Sequence, residues 1–504
     1  MPSTRLSQSP PVRGVDDLLP ASGAPAGPET PLSLSLVTRL GEALQRERLS
    51  VLQWKGNWKQ ARWMSGEGDI DLLVAPEAET RLRALLGDLG FRRADPPAAR
   101  HIPGTESHFG LDPATGRLIH LHVYFRLILG TPGRVMYHLP IETPLLKSAT
   151  PGAVFFIPSA EFELVTFAVR MVQRISTVDV LRAGPPRWLP GIQGELDDLL
   201  RRAQRPALAR ILAEHLPSLD APFIDACVGA LRLQCSRWRR LRVRRKLHRL
   251  LQALARRPPL RHALSRWARR AAPFARDGSR NRVARGGSVV AIVGADGAGK
   301  TTCTREVGIW LSRAFAVMTA HLGRPPRSLF TLAIGGVLRF GETVGCYSAD
   351  GTPRFRAAAY LVALRSICLA RDRYRLYVRA RCFAHAGGVA LCERYPIPET
   401  PQFSGPRLGG LARHLRDTRI GRWLMAREAA YYERVLPPNQ LVVLRVEPEI
   451  AVRRKTDEPP EYVRARGRIV WAVDWSANRA HVIDAGRSLP DVLADLKAVV
   501  WQGL

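Results

Sequence analysis

Lysine is scarce in this 504-residue chain: it supplies seven of the 76 basic residues, and arginine supplies the rest. Acids are also few, since 44 Asp and Glu leave a formal net charge of +32. That surplus has two readings. One is attraction to a polyanion, whether nucleic acid, an acidic membrane surface or a phosphorylated substrate. The other is a general bias toward Arg and Ala, which is the simpler reading for the chain as a whole. Local clusters have to be judged separately. Cysteine motifs are missing too. Cys227, Cys235, Cys303, Cys346, Cys368, Cys382 and Cys392 are scattered, odd in number and never in C-x-x-C spacing. This argues against a disulfide framework and a zinc site, and for a reducing cytosol. No apolar run follows the N-terminal arginines, so no signal peptide is expected. The longest apolar stretch, Leu329 to Leu338, is far too short to span a bilayer. The expectation is a soluble cytoplasmic protein.

What is present is enough for two or three domains, given the length and a 46% hydrophobic content. Residues 1–31 are rich in Pro, Ser, Gly and Ala and read as a disordered tail. Residues 32–156 read as a small α/β unit. It has a helical pattern at Leu36 to Arg48, strands at Ser50 to Trp54, Ile70 to Val74 and Leu118 to Phe125, and a helix at Ala78 to Leu89. Residues 157–275 have helical spacing and an Arg-rich end. Residues 276–287 look like a linker ending in Gly-Gly. Residues 288–504 alternate strands with helices. Five strands, at Val289 to Val293, Ala316 to His321, Gly388 to Cys392, Leu441 to Val446 and His481 to Ile483, imply an α/β doubly wound parallel sheet.

The first of those strands runs into Gly294-Ala295-Asp296-Gly297-Ala298-Gly299-Lys300-Thr301-Thr302, a G-x-x-x-x-G-K-T loop followed by a helical pattern. Glycines let a backbone curl so that its N–H groups face phosphate oxygens, and the helix N-terminus adds positive potential. Lys300 can reach β- and γ-phosphates, and the Thr301 hydroxyl can ligate Mg²⁺.

This loop, with an Asp between its glycines, resembles that of the thymidylate kinases. Co-linear segments extend the resemblance: Ala370-Arg-Asp372-Arg373, Gly387 to Cys392 followed by Glu393-Arg394-Tyr395, Leu441 to Pro448-Glu449 with Arg453-Arg454-Lys455, and His481-Val-Ile-Asp484 with the loop after it. The resemblance implies a P-loop domain using ATP and Mg²⁺ to phosphorylate a small phosphorylated acceptor, with a homodimer as an open possibility. It implies that Lys300 and the lid residues Arg453 and Arg454, with Arg464 or Arg466 as a further candidate, supply transition-state charge, since phosphoryl transfer depends on positioning and cations. It implies that Thr301 and Glu393 hold Mg²⁺ and that Arg373 and Arg394 grip the acceptor phosphate. Two departures concern the acceptor side. His321 to Ser328 replaces the family's Arg-Glu-Pro-Gly-Gly-Thr segment, and Glu393 replaces an Asp. The acceptor therefore stays open.

In the N-terminal unit, Lys55-Gly56-Asn57 precedes Asp69-Ile-Asp71-Leu-Leu-Val74. Period-two alternation puts both carboxylates on one face, where they can share Mg²⁺ and a triphosphate. The pattern resembles uncharacterised bacterial nucleotidyltransferases, although His120 and His122 stand where that group has an acid and then a His. Nucleotidyl transfer by this unit is the alternative function, and a non-catalytic ATP-gated polyanion-binding protein is another. Finally, Arg237 to Arg257 combines an apolar helical stripe with arginines. It reads as an ordinary packed helix, an anionic-membrane contact or a nucleic-acid contact.

Overall fold

Every residue of Ser288–Val293 is buried, and a strand buried on both faces belongs in the middle of a parallel sheet covered by helices. The computed structural model describes residues 33–98, 100–130, 135–176, 179, 184–256, 280–343, 356–408 and 417–504. The expected tail, Cys346, the end of the basic region from 257 onward and the first expected linker residues lie outside them. The described chain is mixed α/β, with three sheets and helices packed against them.

Strands β1 (Val51–Gln53), β2 (Asp69–Val74), β3 (Arg92–Asp95), β4 (Thr105–Leu111) and β5 (Leu118–Tyr124) form the N-terminal sheet. Strands β6 (Ile128–Leu129), β7 (Met136–His138) and β8 (Ala255–Arg256) form a small antiparallel one. Strand β9 (Arg282–Val283) falls within the expected linker, yet it joins the edge of the N-terminal sheet, whose order is β1-β2-β5-β4-β3-β9. Val283 N also donates to the Gly387 carbonyl, so this short segment is hydrogen-bonded to both halves of the molecule. Asp112 holds the β4–β5 hairpin to the first helix. Its carboxylate accepts from Leu36 N at 2.9 Å and from the Thr115 hydroxyl at 2.8 Å.

The middle helices (Ala160–Arg174, Gln193–Arg202, Arg205–His215, Ala221–Ala230, Arg237–Leu250) do not form a separate core. Phe167, Leu196, Ile224 and Leu247 pack with Leu52, Trp54, Leu73 and Tyr124 of the N-terminal sheet. Each such fully buried side chain contributes roughly 1.5–3 kcal/mol of transfer free energy.

The C-terminal sheet is wholly parallel. Strands β10 (Ser288–Gly294), β11 (Val317–His321), β12 (Val389–Glu393), β13 (Gln440–Arg445) and β14 (His481–Asp484) lie in the order β11-β12-β10-β13-β14. Alternation distributes their side chains to two cores. Val290, Ile292 and Leu391 pack with helices Lys300–Leu311 and Leu489–Gln502 on one face. Val289, Ala291 and Cys392 pack with Leu376, Tyr377 and Ala380 of helix Arg356–His385 on the other. The first of these cores also takes in Ala94 and Phe109 of the N-terminal sheet, with Phe109 edge-on to Phe315 at 5.4 Å. No described helix is long and apolar enough to cross a membrane.

Candidate functional site

The order of the parallel sheet reverses direction at β10, with β12 on one side and β13 on the other, and in open α/β sheets the carboxyl ends of the strands at such a point are where ligands bind. The glycine loop Gly294 to Gly299 lies there. Gly297 and Gly299 have φ of +81° and +78°, which strain any residue with a Cβ. A Cβ on Gly297 would also come within 2.7 Å of the Ala451 carbonyl oxygen. Helix Lys300–Leu311 starts at once after the loop, so its first N–H groups lie at the loop without intrahelical partners.

Lys300 folds back over this loop, and its Nζ donates to the Ala295 carbonyl at 2.6 Å. It lies 4.0 Å from Asp296 Oδ1. The buried Asp296 carboxylate also meets Arg394, and its Oδ2 lies 2.7 Å from Arg466 Nη1 in an ion pair. One carboxylate thus faces three cations. Burial pulls Lys300 down to about 8, against the attraction of Asp296 and with Arg394 pulling the same way as burial. The β10–β12 register sets Ile292 beside Glu393, and the Thr301 hydroxyl donates to Glu393 Oε2 at 2.9 Å. These adjacent hard oxygen donors fit the chemistry of Mg²⁺. A helix N-terminus with surplus positive charge suits an oxyanion.

The remaining candidates divide. Arg373 is buried, donates from Nε to the Leu322 carbonyl at 2.7 Å and contacts the Tyr432 hydroxyl. Arg394 sits at φ +51°, an unusual backbone for a residue with a side chain. Of the arginines after β13, Arg466 reaches the loop. Beside it Gly467 packs helix Pro460–Ala472 closely against Pro448, where a Cβ would come within 3.2 Å of the proline ring. Arg454 Nη1 donates instead to the Ala485 carbonyl at 2.8 Å, Arg464 pairs with Glu449 at 2.7 Å, and Arg453 is exposed. Arg453 and Arg454 lie in the last turn of helix Pro448–Arg454, and among the described residues neither forms an ion pair with Asp296. Thr302 lies half-buried in the first turn of helix Lys300–Leu311. Asp372 is occupied by the segment that starts helix Leu329–Thr343, accepting from Ser328 N at 2.9 Å and the Thr331 hydroxyl at 2.6 Å.

In the N-terminal sheet, β2 and β5 run parallel with Asp69 beside His120 and Asp71 beside His122. His120 Nδ1 lies 2.8 Å from Asp69 Oδ1, and its ring stacks on Phe109 at 4.3 Å. Asp71 Oδ1 lies 3.0 Å from Lys55 Nζ and 3.5 Å from His122 Nδ1. Lys55 donates further to the Tyr124 hydroxyl at 3.1 Å. Burial raises the Asp71 carboxyl, but Lys55 and His122 more than reverse this and hold it at about 2. Burial lowers Lys55, and Asp71 overcomes that, so its ammonium is held above its ordinary value. The two aspartates therefore share a face as the sequence implied, but as placed they do not fit Mg²⁺: an ammonium occupies the inner carboxylate. Among the described residues no group of three His, Cys, Asp or Glu side chains has metal-binding geometry. A cleft of about 440 Å³ opens beside the pair, lined also by Lys59, Arg62, Arg170, Arg174 and Glu195.

Sequence reasoning passed over Tyr124, Tyr432 and Arg170. Arg170 carried a signal, as the lone cation between buried Val169 and Met171 on an otherwise apolar stretch. The two tyrosines carried none, because their partners Lys55 and Arg373 are distant in sequence. Compared with known proteins, the chain matches no family model and no curated protein.

Proposed function

We propose that residues 288–504 form a P-loop kinase domain that transfers a phosphoryl group from ATP to a nucleoside monophosphate or another small phosphorylated acceptor. One observation carries this reading: Lys300, Arg394 and Arg466 converge on the glycine loop at the sheet's switch point, beside the Thr301–Glu393 pair. An acceptor phosphate oxygen attacks the γ-phosphorus, the bond to the β,γ-bridging oxygen breaks, and ADP leaves with the electron pair. Lys300 and the loop N–H groups hold the β- and γ-phosphates, while Arg466 offsets charge on the transferring group. Arg373 and Arg394 hold the acceptor phosphate. Thr301 and Glu393 would hold Mg²⁺, which when bound supplies charge neutralisation at the phosphates. For nucleotide to enter, Asp296 has to release part of its cation cluster, so the carboxylate acts as a resident counter-anion. The test is ADP release from Mg-ATP against a panel of nucleoside monophosphates and sugar phosphates. Acceptor-dependent release lost in Lys300→Ala supports the kinase. Equal release by the variant defeats it, and ATP-protected melting without ADP formation points to a binding protein instead.

Nucleotidyl transfer by the N-terminal domain is a second reading: the cleft beside Asp69 and Asp71 carries cations that suit a triphosphate, while the Lys55 ammonium on Asp71 speaks against it. Pyrophosphate release should then depend on both aspartates. Wild-type release from the double Asn variant removes this reading.

A further inference from the structure

Helix Arg237–Leu250 has the sequence RWRRLRVRRKLHRL, and no acidic residue occurs anywhere from Ala226 to Arg276. The apolar side of this helix is fully used. Leu241, Val243 and Leu247 are buried, the last two in the core shared with helices Ala160–Arg174 and Ala221–Ala230. One arginine is used as well: Arg240 is buried and donates to the carbonyls of Ala230, Arg232 and Leu233. Lys246 lies over the Phe223 ring at 5.0 Å.

Arg237, Arg239, Arg242, Arg245 and Arg249 are different. All five are exposed, and none forms an ion pair among the described residues. Some exposed arginines elsewhere do find acids, as Arg81 does with Glu47 and Arg205 with Asp225. Trp238, Arg242, Arg245 and Arg249 form one row at i, i+4, i+7 and i+11, so the cations step along the axis every roughly 5 Å. Trp238 is 59% exposed at the head of that row. Helix physics opposes this arrangement. Like charges three and four residues apart repel, and Arg237 and Arg239 lie at the positive end of the helix dipole. A local feature that disfavours its own helix calls for a compensating partner.

We propose that this face binds the phosphodiester backbone of a single-stranded nucleic acid, with Trp238 stacking on an unpaired base. Arginine rather than lysine matches the chemistry, because its planar fork pairs with phosphate oxygens two at a time. A membrane surface fits less well. An amphipathic helix needs a free apolar face to bury among lipids, and here the core has taken it. Stacking of one base on an exposed aromatic, beside a row of cations that follows the backbone, is the usual chemistry of single-strand binding.

The test uses the full chain and a fluorescein-labelled oligothymidylate of about 20 nucleotides, a length that spans such a row. Anisotropy is followed across a KCl series. Arg242→Ala, Arg245→Ala and Arg249→Ala together should weaken binding at least tenfold at low salt and lower the salt slope by about 2, three phosphates at ~0.7 each. Trp238→Ala should weaken it about tenfold with the slope unchanged. Should the alanines lower the melting midpoint, Gln at the same three positions repeats the measurement with helix propensity kept. The comparison triple is Arg419→Ala, Arg422→Ala and Arg427→Ala on helix Arg419–Glu433, which also exposes a tryptophan, Trp423, and should bind as wild type. An unchanged slope in the first triple overturns the proposal, as does an equal loss in the second, which would mean diffuse charge. Binding to phosphatidylserine vesicles without binding to the oligonucleotide also overturns it, in favour of a lipid surface.

Discussion

In the N-terminal cleft Lys55 and Asp71 lie 3.0 Å apart, and in the C-terminal loop Lys300 and Asp296 lie 4.0 Å apart. The two lysines nevertheless shift in opposite directions, Lys55 upward and Lys300 down to about 8. Burial lowers both, so the neighbours decide the difference. Lys55 is the main cation near Asp71, with the Tyr124 phenol beside it, whereas Lys300 shares Asp296 with Arg394 and Arg466. The first cluster is close to neutral and satisfied. The second carries surplus positive charge, with Glu393 as the other carboxylate acting on Lys300. A lysine–aspartate contact alone therefore says little about function; the net charge of its surroundings says more.

The largest effect that would break this contrast is on turnover. Lys300→Ala should reduce kcat/KM for ADP formation by roughly a thousandfold, with the melting midpoint little changed. Turnover retained in that variant would place the loop on a par with a structural cluster. Next is stability. Asp71→Asn leaves a buried ammonium without its carboxylate and should cost about 2–3 kcal/mol in chemical denaturation, less than a fully buried pair because Lys55 is partly exposed. The double variant with Lys55→Met should recover much of that loss. A neutral single variant would show that the N-terminal pair is not a satisfied unit.

Glu393→Gln should raise the Mg²⁺ concentration needed for half-maximal ADP formation by about tenfold or more, measured by metal titration. The smallest effects are in pH. The folded Lys300 lies below its ordinary value, so its protonation favours the unfolded chain, and its contribution to stability rises with pH from about 8 toward the ordinary lysine value. Nucleotide affinity should move the other way, falling by up to about tenfold per pH unit above that point, with proton uptake on binding visible by calorimetry in paired buffers. Asp296→Asn removes the attraction that raises Lys300 and should shift this limb to lower pH. Asp71 has the opposite sense. Its carboxyl is held at about 2, so its stabilisation is full above the ordinary aspartate value and is lost as pH falls toward 2.

Much of the framework was legible because it is local. All five strands of the C-terminal sheet could be located from short apolar runs, and the glycine loop from its spacing, since both depend on residues adjacent in sequence. The pairing of Asp69 and Asp71 on one face was legible for the same reason. Partners were not. Lys55 reaches Asp71 because β1 pairs with β2, and His122 reaches it because β5 lies parallel on the other side. Arg466 meets Asp296 because the fold lays helix Pro460–Ala472 beside the glycine loop, a contact between positions far apart in sequence.

By itself, the sequence determined where the five strands of the C-terminal sheet run, where the backbone must curl at Gly297 and Gly299, and that helix Arg237–Leu250 is basic. Those properties follow from periodicity and from the conformational freedom of single residues. Only the tertiary structure decided which charges are satisfied: Asp71 by Lys55, Arg240 by three carbonyls, and the outward arginines of the same helix by no acid among the described residues. Charge balance is a property of groups brought together from distant positions, and the fold is what brings them together.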